Sequence, residues 1–150
     1  MKVEQYCKHG AIAIAANADI VDAARLMRER HVGFLVVFAD GDPLRKPVGV
    51  LTDRDIVLQV TAREVDPHAV TVGDVMTAHP IVAHEGDDLG DLIRGMQVAG
   101  VRRAPVIDAR GALKGVIAVD DVIDIVAGLL GNIAGSIRVE QKHEWLSRRV

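Results

Sequence analysis

The sequence predicts an α+β fold: two tandem β-α-β-β-α repeats forming one symmetric pair, followed by a C-terminal helix. Three observations predict it. Residues 19–38, "DIVDAARLMRERHVGFLVVF", resemble residues 88–107, "DLGDLIRGMQVAGVRRAPVI", at an offset of 69. Both open with Asp-x-x-Asp, carry Arg six, Met eight and Val thirteen residues after the first Asp, and end in a β-branched run. The string "GVLTDRDIV" at 49–57 returns as "GVIAVDDVI" at 115–123, where the offset falls to 66, so the first connecting loop is three residues longer. Two copies are too few for a solenoid, which leaves a pair.

Each copy reads in the same order. A short strand comes first, "AIAI" (11–14) or "PIVA" (80–83). Asp19 or Asp88 then caps a helix, with Asp22 or Asp91 at its third position. Ile20, Ala24 and Met27 fall at i, i+4 and i+7, one helix face. "FLVVF" (34–38) and "APVI" (104–107) read as buried strands. "ADGDPLRKP" and the tighter "DARG" (108–111) are hairpin loops, and "VGVL" and "KGVIA" are the return strands. Helices follow at about 53–63 and 120–130. Between the copies, Asp66-Pro67 stops a helix and Thr71-x-x-Asp74 starts a short one. The expected division is 1–65, first repeat; 66–130, linker helix and second repeat; 131–150, a helical tail with Ile133, Ile137 and Trp145 on an otherwise polar segment.

Bulk properties narrow the function. Of 150 residues, 49% are hydrophobic but only 3% aromatic, so Val, Ile, Leu and Ala must fill the core. A net charge of −3 argues against a nucleic-acid partner. The single cysteine, Cys7, has no internal disulfide partner and fits a reducing compartment. The start lacks the apolar stretch of a signal peptide, and no unbroken apolar run approaches the ~18 residues of a membrane span. The expectation is a cytoplasmic chain with no membrane association.

The ordered set "TVGDVMT", "GVRRAPVID", "GVLTDRDIV" and "GVIAVDDVI", over roughly residues 5–130, resembles a tandem pair of CBS domains, often called a Bateman module. The resemblance implies two copies packed sheet to sheet about a pseudo-twofold axis, with two clefts between them. It also implies a non-catalytic regulatory role, an AMP, ADP or ATP ligand (S-adenosylmethionine or NAD in some relatives), homodimerisation and a separate target protein.

Candidate site residues follow from the junctions. Thr52 and Asp55 have the spacing of a capping box, which by itself explains both. The same helix start offers amides and a partial positive charge to a phosphate, with Arg54 alongside. An ionised carboxylate has only acceptors, which suits the vicinal hydroxyls of a ribose. The resemblance assigns Asp55 to ribose and Thr52 to phosphate. Asp121 matches Asp55, but Ala118, Val119 and Asp120 replace Thr52, Asp53 and Arg54, so the clefts should be unequal. Arg102 and Arg103 stand where relatives often carry a phosphate-contacting base; a solvated turn pair is the plain alternative. Val32, Val48, Val101 and Val116 are candidates for an adenine slot, as is Phe34 for stacking, each against an ordinary core role.

Other chemistries find little support. The six histidines show no zinc-protease spacing, so no metal site is expected. Cys7 near His9 lacks an identifiable base and orienting acid for nucleophilic catalysis. No Walker loop or dinucleotide fingerprint is present, and no enzyme is expected. The competing reading is a ligand-free dimeric scaffold, favoured by the degenerate second junction and the tail.

Overall fold

A computed structural model of the chain describes residues 1–147, which fall in two compact units, Met1–Ile117 and a second that begins at Ala118. In the first unit, β1 (Lys8–His9), β2 (Ala13–Ala15), α1 (Ile20–Arg30), β3 (Phe34–Phe38), β4 (Pro47–Thr52) and α2 (Asp53–Ile56) come first. α2 runs on as one π-helical turn, Val57–Thr61, so the helix expected to 63 is shorter and mixed. Then come α3 (Val72–Val75), β5 (Thr77–Ala78), β6 (Ala83–His84), α4 (Leu89–Ala99), β7 (Arg103–Ile107) and β8 (Leu113–Ala118).

The strands make two four-stranded sheets, ordered β2-β3-β4-β5 and β1-β8-β7-β6. Each copy lends a strand to the other. β5 precedes the second copy yet pairs with β4 of the first, Gly49 opposite Ala78 and Val50 opposite Thr77. β1 pairs with β8, Lys8 opposite Val116 and His9 opposite Gly115. Backbone bonds repeat the exchange: Val3 N–H donates to the Asp87 carbonyl at 3.0 Å, and Val72 N–H to the Ala18 carbonyl at 2.8 Å. Residues 3 and 72, like 8 and 77, stand 69 apart, so the offset is the pseudo-twofold operation. Two-residue strands carry too little pattern to be seen in a sequence.

Local chemistry explains the helices. The Asp19 carboxylate accepts from Val21 N–H at 2.6 Å, and Asp88 from Gly90 N–H at 2.8 Å. Asp22 and Asp91 do not reach back to close these caps; they pair with Arg25 and Arg94, one turn on. α1 buries Ile20 and Met27 of the expected face, with Ala23 in place of Ala24, which is exposed. The core of the first sheet gathers Leu35, Val37 and Leu51 with Val60 and Val72. Burying one such Leu contributes about 1.5–3 kcal/mol.

The second unit is dominated by α5 (Val119–Ser147), in which the expected helix at 120–130 and the expected tail are one continuous element. Residues 148–150 of that tail lie outside the described residues. Ile123, Val126, Leu130, Ile133 and Ile137 are exposed at alternating steps of three and four, a heptad seam. Val119–Leu146 is long and apolar enough to cross a membrane, by length and composition only, with mean hydropathy 1.6. Asp124 and Arg138 interrupt the apolar run in the sequence, charges that an average over a window tolerates.

Candidate functional site

Two clefts of the first unit bring candidate residues of both copies together. One, of about 470 Å³, is lined by Thr52, Asp53, Arg54 and Asp55 from the β4–α2 junction and by Val101, Arg102 and Arg103 from the α4–β7 turn. The other, of about 390 Å³, is lined by Lys8, His9 and Ile12, by His31, Val32 and Phe34, and by Arg103 and Val116. The offset relates them. Val32 matches Val101, Phe34 matches Arg103, and Lys8 matches Thr77, which also lines the first cleft. Val116 in β8 matches Val50 in β4, again one in each cleft.

The β4–α2 junction is held by reciprocal bonds. Asp55 N–H donates to Thr52 Oγ1 at 3.1 Å, and Thr52 N–H donates to Asp55 Oδ2 at 2.8 Å. The capping box is therefore formed, yet it leaves the ribose role open, because an ionised carboxylate has roughly four lone-pair sites. Asp55 is half-buried and borders the cleft. The helix start differs from expectation in one respect. Asp53 N–H donates to the Gly33 carbonyl at 3.1 Å and Arg54 N–H to Asp53 Oδ1 at 2.8 Å, so the first three amides of α2 already have acceptors. They are not available to phosphate. The groups suited to an anion are the side chains: the Thr52 hydroxyl, which can still donate, and Arg54, Arg102 and Arg103.

Gly33 packs closely here. A Cβ on it would stand 2.6 Å from Asp53 Oδ2, so the Asp53 carboxylate lies against the bare backbone. Arg103 reaches across the copies, its guanidinium 5.8 Å from the Phe34 ring centroid. That is cation–π range.

Of the candidate adenine-slot residues, Val101 lines the threonine-side cleft, Val32 and Val116 the lysine-side cleft, and Phe34 both. Val48 lines neither. The β3–β4 register shifts between Val37 and Phe38, whose partners are Gly49 and Pro47, so Val48 is the unpaired bulge residue and packs against the core. Val50 lines the cleft instead. Asp121 occupies the third position of α5, as Asp55 does in α2, with Ala118 in place of the capping hydroxyl. It belongs to the second unit.

His9 and His31, which are not among the candidates drawn from the sequence, line the lysine-side cleft. The signal was the offset: His31 stands opposite Gly100, and both end their helices in the left-handed region, at φ 54° and 67°. The setting of Cys7 disfavours its thiolate. Burial pushes its thiol up, and the Glu85 carboxylate pushes it further. Among the described residues no group of three or more His, Cys, Asp or Glu comes together to hold a metal ion.

Comparison with known proteins gives the same architecture. The CBS domain matches this chain twice, over residues 3–61 and 72–128. The CBS domain-containing protein YhcV of Bacillus subtilis is 31% identical over 131 residues, 87% of this chain and 88% of its own length. The crystal structure of Hypoxic Response Protein I with two coordinated zinc ions is 27% identical, with a TM-score of 0.72, covering 83% of this chain and 98% of that one. The Pyrobaculum aerophilum CBS domain protein PAE2072, complexed with AMP, is 24% identical, with a TM-score of 0.73, covering 81% and 89%. With two matched copies, each lending a strand to the other, this chain belongs to the CBS-domain family as a tandem CBS pair.

Proposed function

We propose that this chain is a non-catalytic regulatory module that binds adenine nucleotides, of the AMP, ADP or ATP class, in the clefts between its two CBS domains. One observation carries the reading. A cleft of about 470 Å³ brings Thr52, Arg54 and Asp55 of one copy against Val101, Arg102 and Arg103 of the other. That volume lies within the range of small-molecule sites, roughly 300–1,000 Å³. The composition suits a nucleotide: a carboxylate for ribose hydroxyls, three guanidinium groups for phosphate and valine for the base. The same fold in the Pyrobaculum protein holds AMP. Asp121 is assigned to the ribose of a second ligand by its match to Asp55.

The test is thermal unfolding of the full chain with AMP, ADP, ATP, NAD and S-adenosylmethionine. A bound ligand at 100 times its dissociation constant stabilises by about 2.7 kcal/mol. A shift confined to AMP, ADP or ATP supports the reading; a shift with S-adenosylmethionine or NAD alone moves the ligand class. No shift with any compound favours the second reading, a homodimeric scaffold acting on a target protein. The exposed seam of α5 is the observation on its side.

A further inference from the structure

The two clefts share three lining residues, Gly33, Phe34 and Arg103. Gly33 and Phe34 lead into β3, and Arg103 opens β7 at the position that matches Phe34. A symmetric module would set two like side chains at this place. Here one is a ring, the other is a guanidinium 5.8 Å from its centroid, and Arg103 is the only charged residue lining both clefts.

We propose that Arg103 couples the two clefts negatively: a phosphate-bearing ligand in either one engages the guanidinium that the other also needs. This rests on the adenine-nucleotide reading. A guanidinium presents its donors as one planar fork, which matches one phosphate well. A second phosphate arriving from the other side finds those donors engaged and a negative charge close by. Each cleft keeps cations of its own, Arg54 and Arg102 on the threonine side and Lys8 on the lysine side. Both clefts therefore fill, the second more weakly than it would alone. By linkage the effect is reciprocal. A ligand without phosphate does not reach for the guanidinium and carries no coupling.

The experiment is calorimetric titration of the full chain with AMP and with adenosine, on the unmutated protein, Asp55→Ala and Arg103→Met. Asp55→Ala weakens the threonine-side cleft by at least roughly tenfold, so its first AMP step, the single step used as reference, reports the lysine-side cleft with its neighbour still empty. The second AMP step of the unmutated protein is expected to be weaker than that single step by about 5–150-fold, the usual range of allosteric coupling. Adenosine should show no such gap, which separates coupling from clefts that merely differ. Arg103→Met should close the AMP gap. A second AMP step equal to the Asp55→Ala step overturns the coupling and leaves the nucleotide reading intact. No heat from either ligand overturns the nucleotide reading and the coupling with it. Should circular dichroism show Asp55→Ala unfolded, Phe34→Arg replaces it: a second guanidinium at the matching position should bring the two AMP steps to the spacing seen with adenosine. A spacing that stays wide would contradict the proposal.

Discussion

Cys7 occupies the space in which a side chain on Gly115 would have to stand, and Met76 does the same over Gly49. Residues 7 and 76 are 69 apart and residues 49 and 115 are 66 apart, so the two contacts are one contact seen twice. Each glycine lets the strand borrowed from the other copy lie flat on its return strand. A Cβ at Gly115 would also strike the Lys8 carbonyl, which is backbone; at Gly49 its nearest neighbour is the end of the flexible Met76 side chain, with the Thr77 carbonyl at 3.1 Å. Gly115→Ala is therefore expected to destabilise by about 1–3 kcal/mol and Gly49→Ala by less. Urea unfolding of the two variants checks the order. The reverse order would mean that the exchanged strands are not held as described.

The acid side of the stability profile follows from four carboxylates. The Val21 amide holds Asp19 below the usual range, and the Thr71 amide and hydroxyl do so for Asp74. The N-terminal ammonium, then the Asp91 and Gly90 amides, lowers Asp88; the Ala112 amide, then that of Arg110, lowers Asp108. A carboxyl lowered in the folded state stabilises above its unfolded value and ceases to do so as the pH falls through its folded one. Stability should thus fall from about pH 4 downward. Asp74→Asn and Asp108→Asn should each flatten that fall in urea titrations at pH 2–5. Slopes equal to the unmutated protein's would contradict the assignment.

The Cys7 thiol is raised by burial and by Glu85, so little thiolate is present near neutrality. With Ellman's reagent at pH 8 it should react more slowly in the folded chain than in denaturant. Equal rates would show that the fold does not bury it.

The seam on α5 predicts self-association of the full chain. Leu130 and Ile133, 62% and 60% exposed, stand at its middle. Sedimentation should give a dimer for the unmutated protein and a smaller species for Leu130→Glu. A monomer in both cases would remove the homodimer.

Much of the fold was legible because it is written twice. "FLVVF" coincides with β3, and the Thr71–Asp74 spacing with the cap of α3. The exchanged strands β1 and β5 were not legible, since two residues carry no period and their partners lie far along the chain. Of the site, the junction of Thr52 and Asp55 and the Arg102–Arg103 turn could be read from the repeat, and the structure brings both to one cleft. What the residues could not reveal was tertiary: the bulge that withdraws Val48, and the β1 and α1 ends that bring His9 and His31 to the second cleft.

The central claim is that the Asp55 carboxylate reads the ribose of a bound nucleotide, and a double cycle of ligand and residue measures it. Calorimetry of AMP and of 2′,3′-dideoxyadenosine monophosphate on the unmutated protein and Asp55→Ala gives the four affinities. Hydrogen bonds to a charged group contribute about 1.5–3 kcal/mol. Deleting both hydroxyls should therefore weaken binding at the threonine-side cleft by at least roughly tenfold in the unmutated protein and hardly at all in Asp55→Ala. An equal loss in both proteins would show that Asp55 does not touch the ribose and is the capping residue of α2 alone.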